Sequence, residues 1–315
     1  MTKKDYLLLA VIALALHILF LILLPDNALR NESDDFRYFY SPVAENLLEG
    51  KGYVDEAGAP ATLYPPGFPI VLAGFYAVAD LLHVPRAFSL RFMAAVCVAG
   101  STLLIAGAGS ISFSRRIGFL AGLAWAAYPV QLWASKQPNS ELPFFVIFFA
   151  LINLLLLELK RQRPRWWSAP VVGILAGFGM LIRPIAIGLD LVLIVAICFA
   201  ARRWSWKWKL IYSGLLMFAC LAAIAPWEIW AHSQTGRWIL LSTNGAASMM
   251  DGLTVGVTPS PAGLLLPLPE GARSIMQNIY EHQEELKTPG ALMSFTAGQM
   301  ISHPIGGLQL ILLKA

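Results

Sequence analysis

The stretch "ESDDFRYFY" at residues 32–40 places two adjacent carboxylates, Asp34 and Asp35, just ahead of Arg37 and among four aromatic residues, directly after the first long apolar run of the chain. A carboxylate can take a proton from an attacking hydroxyl, and the planar guanidinium of an arginine matches the oxygens of a phosphate. A plainer alternative stands beside this one: the acids cap the short helix that follows, as acids near a helix start do, and Arg37 pairs with lipid headgroups. Glu141 is a third acid of interest, at the start of an apolar helix. It is a candidate for holding a substrate or a metal, or simply a charge favoured at a helix N-terminus. Asp190 lies inside an apolar block, where an ionisable residue is a functional hypothesis by default. Arg183 precedes it by seven residues, about two helical turns, so the spacing predicts that the two pair on one face.

Other chemistry is scarce. The chain has no GxxxxGK[ST], HExxH, GxSxG or dinucleotide-binding glycine pattern. His232, His282 and His303 are scattered without metal-ligand spacing, and His17 sits alone within the first apolar run, where a bond to a neighbouring helix is expected. Cys97, Cys198 and Cys220 fall inside apolar blocks and read as packing residues. The residues assign no metal; a divalent cation is a candidate cofactor only.

The elements that must position these residues are membrane helices. Of 315 residues, 57% are hydrophobic and 13% charged, against roughly a quarter charged in a soluble domain. The apolar residues come in blocks of about 20, the length that crosses a bilayer as helix. The fold class expected is therefore an all-α polytopic membrane protein. The net charge of +4 is small and its basic residues flank the blocks, which sets topology and excludes a nucleic-acid footprint.

The expected spans are Tyr6–Leu24, Leu90–Phe113, Ile117–Ser135, Leu142–Leu159, Trp166–Ile182, Pro184–Ala201 and Lys209–Ala231. The first is too long for a signal-peptide core and lacks a cleavage pattern, so it reads as retained. The basic clusters Lys3/Lys4, Arg115/Arg116, "KRQRPR" at 160–165 and "RRWSWKWK" at 202–209 all fall on the cytoplasmic side if Phe68–His83 does not span but lies along the outer face. That makes seven spans. Tryptophans beside the basic clusters fit an interfacial belt. Gly118/Gly122 and Gly173/Gly177 are GxxxG pairs that predict close helix packing within the chain.

The expected organisation is a transmembrane module at 1–231 with an outer-face helical loop at 26–89, an outer loop at 232–303 containing an amphipathic helix in "SIMQNIYEHQEELK", and the opening of a further span at 304–315. Twelve residues do not cross a bilayer, so a truncated C-terminal part is expected.

The pattern "SDDFRYFYSPVAENLLEGKGY…LYPPGFP" resembles the first outer loop of the C-type membrane glycosyltransferases, and among them the aminoarabinose lipid A transferases and protein O-mannosyltransferases. "NSELPFFVIFF", "LIRPIAI" and "APWEIWAHSQTGRWILLSTNGAASMMDG" follow in the order seen in that family. The resemblance spans roughly residues 5–255. It implies a hexosyl or pentosyl transferase that moves a sugar from a polyprenyl-phosphate donor to an acceptor hydroxyl on a lipid, glycan or protein. It further implies an inverting reaction at the periplasmic face of a bacterial inner membrane. By the same resemblance Asp34 is the general base and Asp35 orients it or helps bind a cation. Arg37 and Arg183 take the donor phosphate, and Glu141, Tyr64 and Asn244 are candidate substrate or metal contacts. Tyr64 stands where some relatives carry lysine before the proline pair. One base suffices in this chemistry, because a lipid phosphate leaves as a stable anion, whereas glycosidases must also protonate an alkoxide. A transporter or flippase of lipid-linked sugars is the alternative, expected to show an internal repeat with paired broken helices, as is a catalytically inactive relative.

Overall fold

In the computed structural model the described residues are 1–24, 35–257, 268–286 and 288–314. Among them the chain is helical, with a single isolated antiparallel bridge between Val54 and Pro60 and no strand. The elements are α1 (Lys3–Leu23), a π-helical turn (Phe36–Tyr40), α2 (Ser41–Leu48), α3 (Gly67–Leu82), α4 (Arg86–Ser112), α5 (Arg115–Ala126), α6 (Pro129–Ala134), α7 (Glu141–Leu159) and α8 (Ser168–Ile182). There follow a 3₁₀ turn (Pro184–Ala186), α9 (Leu189–Ala200), α10 (Trp206–Thr235), α11 (Gly245–Thr254), α12 (Glu270–Glu281), α13 (Pro289–Ser302) and α14 (Pro304–Lys314). The chain divides into two compact units, Met1–Leu241 and Ser242–Ala315.

Four helices among the described residues, α1, α4, α7 and α10, are long and apolar enough to cross a membrane. Two of the expected spans, Ile117–Ser135 and Pro184–Ala201, are not single helices. Ile117–Ser135 is not one helix: α5 stops at Ala126, Tyr128 is extended (ψ 119°), and Pro129 opens α6, because the residue before a proline is pushed out of the α region. Pro184 does the same to Arg183 (φ −135°, ψ 104°), and Gly188, at φ 83°, turns the chain into α9. Expected Phe68–His83 is α3, whose buried face carries Phe68, Leu72, Tyr76 and Ala79.

Both GxxxG pairs are packing devices within unit 1. A β-carbon on Gly173 would lie 2.2 Å from the Leu216 carbonyl oxygen of α10, and one on Gly118 would meet the Ala106 carbonyl of α4 at 2.5 Å. Backbones approach this closely only where a side chain is missing, as in packed membrane helices. His17 is buried and its Nδ1 is 2.9 Å from Ser135 Oγ, the interhelical bond expected of it.

Three of the basic clusters are bonded at one end of this unit, and Asp5, beside the fourth, joins them. Arg115, at the start of α5, pairs with Asp5 of α1 at 2.7 Å. Lys160 donates to the Ile111 carbonyl near the end of α4. Arg203 donates to the Lys160 carbonyl at 2.9 Å and Trp204 Nε1 to the Arg161 carbonyl at 3.1 Å. Glu158, fully buried, accepts from the Arg165 amide at 2.8 Å and faces the guanidinium groups of Arg161 and Arg165. A buried carboxylate needs such partners, since stripping its water is otherwise costly.

Unit 2 holds α11 to α14 around Ile275, Met276, Ile279 and Leu292. Within it α12 buries Ala272, Ile275, Met276 and Ile279, the amphipathic spacing of i, i+3, i+4, i+7.

Candidate functional site

The site forms where the π-helical turn, the "LYPPG" segment, the start of α7 and the end of α8 converge. In the turn, Phe36, Phe39 and Tyr40 are buried while Arg37 and Tyr38 are exposed. The aromatic residues anchor it. Tyr64 packs on Phe39 and Tyr40 with ring centroids 5.1 Å from each, and Tyr40 meets Phe68 at 4.9 Å. Each such pair contributes about 1 kcal/mol beyond area burial, so three of them hold a five-residue turn that has too few backbone bonds to stand alone.

This packing brings Tyr64 to Asp35. The Tyr64 hydroxyl donates to Asp35 Oδ1 at 3.0 Å, while the Asp35 side chain makes no cap bond to the turn it precedes. For Asp35 the capping alternative therefore gives way to a tyrosine contact. Tyr64 is held in turn by Tyr53, whose hydroxyl donates to the Tyr64 carbonyl at 3.0 Å. Tyr53 packs edge-on against Trp227 at 5.3 Å and Trp230 at 5.5 Å.

The second part of the site is an ion pair. Arg183 does not turn toward Asp190. Its Nη1 lies 2.5 Å from Glu141 Oε1 and donates to Ser140 Oγ at 3.1 Å. Arg183 and Asp190 do not share a helix face, because the chain between them is not one helix. Gly67 supplies the approach: a β-carbon there would fall 2.5 Å from the Leu181 backbone, so the proline-rich segment lies directly against the end of α8. Glu141 opens α7, where the Asn139 side chain accepts from the Glu141 amide at 3.2 Å. The Arg183 and Glu141 side chains are 27% and 38% exposed, so the pair is partly screened and contributes about 1 kcal/mol or less. Its value is in fixing the direction of both groups.

Tyr40 ties the two parts together. Burial raises its phenol above the ordinary value, Tyr64 and Asp35 push the same way, Arg183 opposes, and Glu141 adds to the rise. The same phenol thus feels both carboxylates and the arginine. Burial likewise raises Tyr53 well above its ordinary value, with Tyr40 adding to it. Both rings are neutral donors or packing groups over the physiological range.

Of the residues expected from the sequence, Asp35, Tyr64, Glu141 and Arg183 come together. Asp34 lies outside the described residues. Arg37 is exposed with its guanidinium 5.5 Å from the Tyr38 ring centre, two positions from Asp35 and so on another face of the turn. Asn244 belongs to unit 2, where it stands at the start of α11 and donates to Ser248 Oγ at 3.1 Å. Among the described residues no three His, Cys, Asp or Glu gather as a metal site would require.

Sequence reasoning passed over Tyr40, Tyr53 and the Trp227–Glu228 pair. Trp227 Nε1 donates to the Leu241 carbonyl at 2.9 Å, and Glu228 accepts from the Leu241 amide at 2.6 Å. They grip a backbone in which Leu240 and Leu241 sit at φ 46° and 75°, a left-handed conformation that costs a non-glycine residue about 1–2 kcal/mol. The aromatic-acid dipeptide in "APWEIW" was visible; that its two side chains would clamp one residue 13 positions on was not.

Residues 64–230 match the family described as dolichyl-phosphate-mannose-protein mannosyltransferase. Tyr64, Glu141 and Arg183 fall inside that match and Asp35 before it. Comparison with curated proteins finds no match.

Proposed function

The chain belongs to the dolichyl-phosphate-mannose-protein mannosyltransferase family, and from that premise we propose that it inverts a sugar as it moves it from a polyprenyl-phosphate donor to an acceptor hydroxyl. The chain carries a C-type glycosyltransferase domain and helices apolar enough to span a membrane, and such a family acts on lipid-linked sugars.

In the proposed reaction the acceptor oxygen attacks the anomeric carbon, the bond from that carbon to the phosphate oxygen breaks, and the electron pair leaves with the lipid phosphate. The acceptor proton passes to Asp34. Asp35, oriented by the Tyr64 hydroxyl, supports that base. The Arg183 guanidinium, aimed by Glu141 and Ser140, stabilises charge on the departing phosphate, and Arg37 contacts the same group from the surface. The observation that carries this reading is the convergence of Asp35, Tyr64, Glu141 and Arg183 around the Tyr40 ring in a chain of this family.

Seven crossings with the site on the outer face are part of the proposal. In support, three of the basic clusters are bonded at the opposite end, where α10 begins and α4 and α7 end, and the Lys3/Lys4 cluster precedes Asp5, the partner of Arg115. Beside the four long helices α1, α4, α7 and α10, the shorter α5 with α6, α8 and α9 supply the other three crossings in this proposal. Arg86, at the start of α4, meets Asp80 of α3 at 2.9 Å and Glu45 of α2 at 3.6 Å, which favours an α3 that begins and ends on one side. A periplasmic location in a bacterial inner membrane follows from the resemblance to aminoarabinose lipid A transferases. The organisation proposed remains a transmembrane module at 1–231, an outer loop at 232–303 and a further helix at 304–315.

The test uses the purified chain in lipid, radiolabelled polyprenyl-phosphate sugars and a crude membrane extract as the acceptor source, beside Arg183→Gln. Label should pass to an acceptor with the unmodified chain and fall by about tenfold or more with the variant. Donor that binds but never transfers would leave an inactive relative as the reading.

A further inference from the structure

Unit 1 carries a second polar feature that the proposed reaction does not use. Between the end of α1, the start of α4 and the turn after α6 lies a cleft of about 170 Å³. Leu21, Leu90 and Met93 form its apolar wall, and Arg91, Lys136 and Ser135 its polar part. None of Asp35, Tyr40, Tyr64, Glu141 or Arg183 lines it.

Of the polar part, Ser135 is buried, Lys136 half-buried and Arg91 exposed. Ser135 is 5% exposed; its hydroxyl donates to the Leu132 carbonyl at 2.6 Å and meets buried His17 at 2.9 Å. One turn earlier on α6, and outside the lining of the cleft, Gln131 is fully buried and neither amide atom has a hydrogen-bond partner. Polar groups are expensive to hold among membrane helices and mark sites that use them. Lys136 is drawn across to α1, where its ammonium donates to the Leu24 carbonyl, and this brings the cation to the rim of the cleft beside Arg91.

Two cations above an apolar wall that follows membrane helices suit an amphiphile with an anionic head. A guanidinium fork and an ammonium point charge are the side chains that recognise phosphate, and basic pockets between membrane helices hold lipid headgroups. We propose that this cleft binds the phosphate of a membrane lipid, with Arg91 and Lys136 on the phosphate and the acyl or prenyl chain along Leu21, Leu90 and Met93. The shared chemistry is a lipid phosphate; its source is either a polyprenyl phosphate or a bulk anionic phospholipid. The binding does not rest on the transfer reaction and is read without turnover.

The experiment measures equilibrium binding of labelled undecaprenyl phosphate, phosphatidylglycerol and inorganic phosphate to the full chain in neutral detergent. It is run on the unmodified protein and on Arg183→Gln, each with and without Arg91→Gln and Lys136→Gln. In the Arg183→Gln background one equivalent of lipid phosphate should remain. Arg91→Gln or Lys136→Gln should weaken it by about tenfold each, Arg91→Lys should weaken it less, and inorganic phosphate should not compete. Preference for undecaprenyl phosphate assigns the prenyl carrier, and equal binding of both lipids assigns bulk phospholipid. Melting temperatures near that of the unmodified chain show that the variants fold; a variant that does not fold is replaced by Leu90→Trp, which fills the apolar wall and should also expel the lipid. Lipid binding unchanged in Arg91→Gln, Lys136→Gln and Leu90→Trp overturns the proposal. An Arg183→Gln chain that loses nothing, while these variants still lose binding, would count against the donor role of Arg183 and leave the cleft standing.

Discussion

The hydroxyl of Tyr64 donates to Oδ1 of Asp35 at 3.0 Å across a contact between residues 29 apart in sequence. It gives a partly solvated carboxylate a fixed direction, and it does so through a ring clamped by Phe39 and Tyr40 on one side and by Tyr53 through the backbone on the other.

Tyr64→Phe keeps the ring and removes only this bond. With Asp35 supporting the base, the expected result is a fall in kcat of about tenfold with little change in donor KM, measured by steady-state transfer. A variant with unchanged kcat would reduce Tyr64 to packing.

The clamp on Leu241 is open to a separate test. Trp227→Phe and Glu228→Gln each remove or weaken one of the two bonds that hold left-handed Leu240 and Leu241. Each should lower the local opening free energy by about 1–2 kcal/mol, seen as faster amide exchange at 239–242. Exchange unchanged in both variants would mean that this backbone is held by something else.

Much of the helical architecture was legible, and the reasons are local. The GxxxG pairs and the amphipathic face of α12 are periodic signals within one continuous helix, and they predicted contacts that the structure contains. The expected Arg183–Asp190 pairing used the same arithmetic across a stretch that Pro184 and Gly188 had already interrupted. The partner Arg183 has, Glu141, sits on another helix, and no spacing rule links them. Tyr64 and Asp35 were each singled out, but their bond depends on aromatic packing that only a folded loop supplies. The broken Ile117–Ser135 segment could have been seen in Pro129; hydropathy alone ran through it.

Tyr40 predicts a pH dependence. Burial raises its phenol above the ordinary value of 10.0, with Tyr64 and Asp35 in the same direction. The folded state therefore keeps the proton longer than the unfolded chain does. Stability tied to neutral Tyr40 is complete below pH 10 and is lost as pH climbs above it toward the folded-state value. Tyr40→Phe should show a shallower fall in melting temperature above pH 10 than the unmodified chain. Parallel curves would contradict the assignment.

Seven crossings predict an accessibility pattern. In a chain lacking Cys97, Cys198 and Cys220, cysteine at exposed Glu56 or Leu82 should react with a membrane-impermeant reagent from outside, and cysteine at Arg163 only after the membrane is opened. Leu82 decides the status of α3. Labelling of Leu82→Cys from inside alone would make α3 a span and the count eight.

The central claim is most directly tested at Asp34. Transfer from a labelled polyprenyl-phosphate sugar is measured for the unmodified chain, Asp34→Asn and Asp35→Asn, with donor binding measured in parallel. If Asp34 is the base, Asp34→Asn should lose a hundredfold or more in rate, on the order expected for removal of a general base. It should bind donor normally, and Asp35→Asn should be the milder of the two. An Asp34→Asn chain that transfers sugar at close to the unmodified rate would contradict the account.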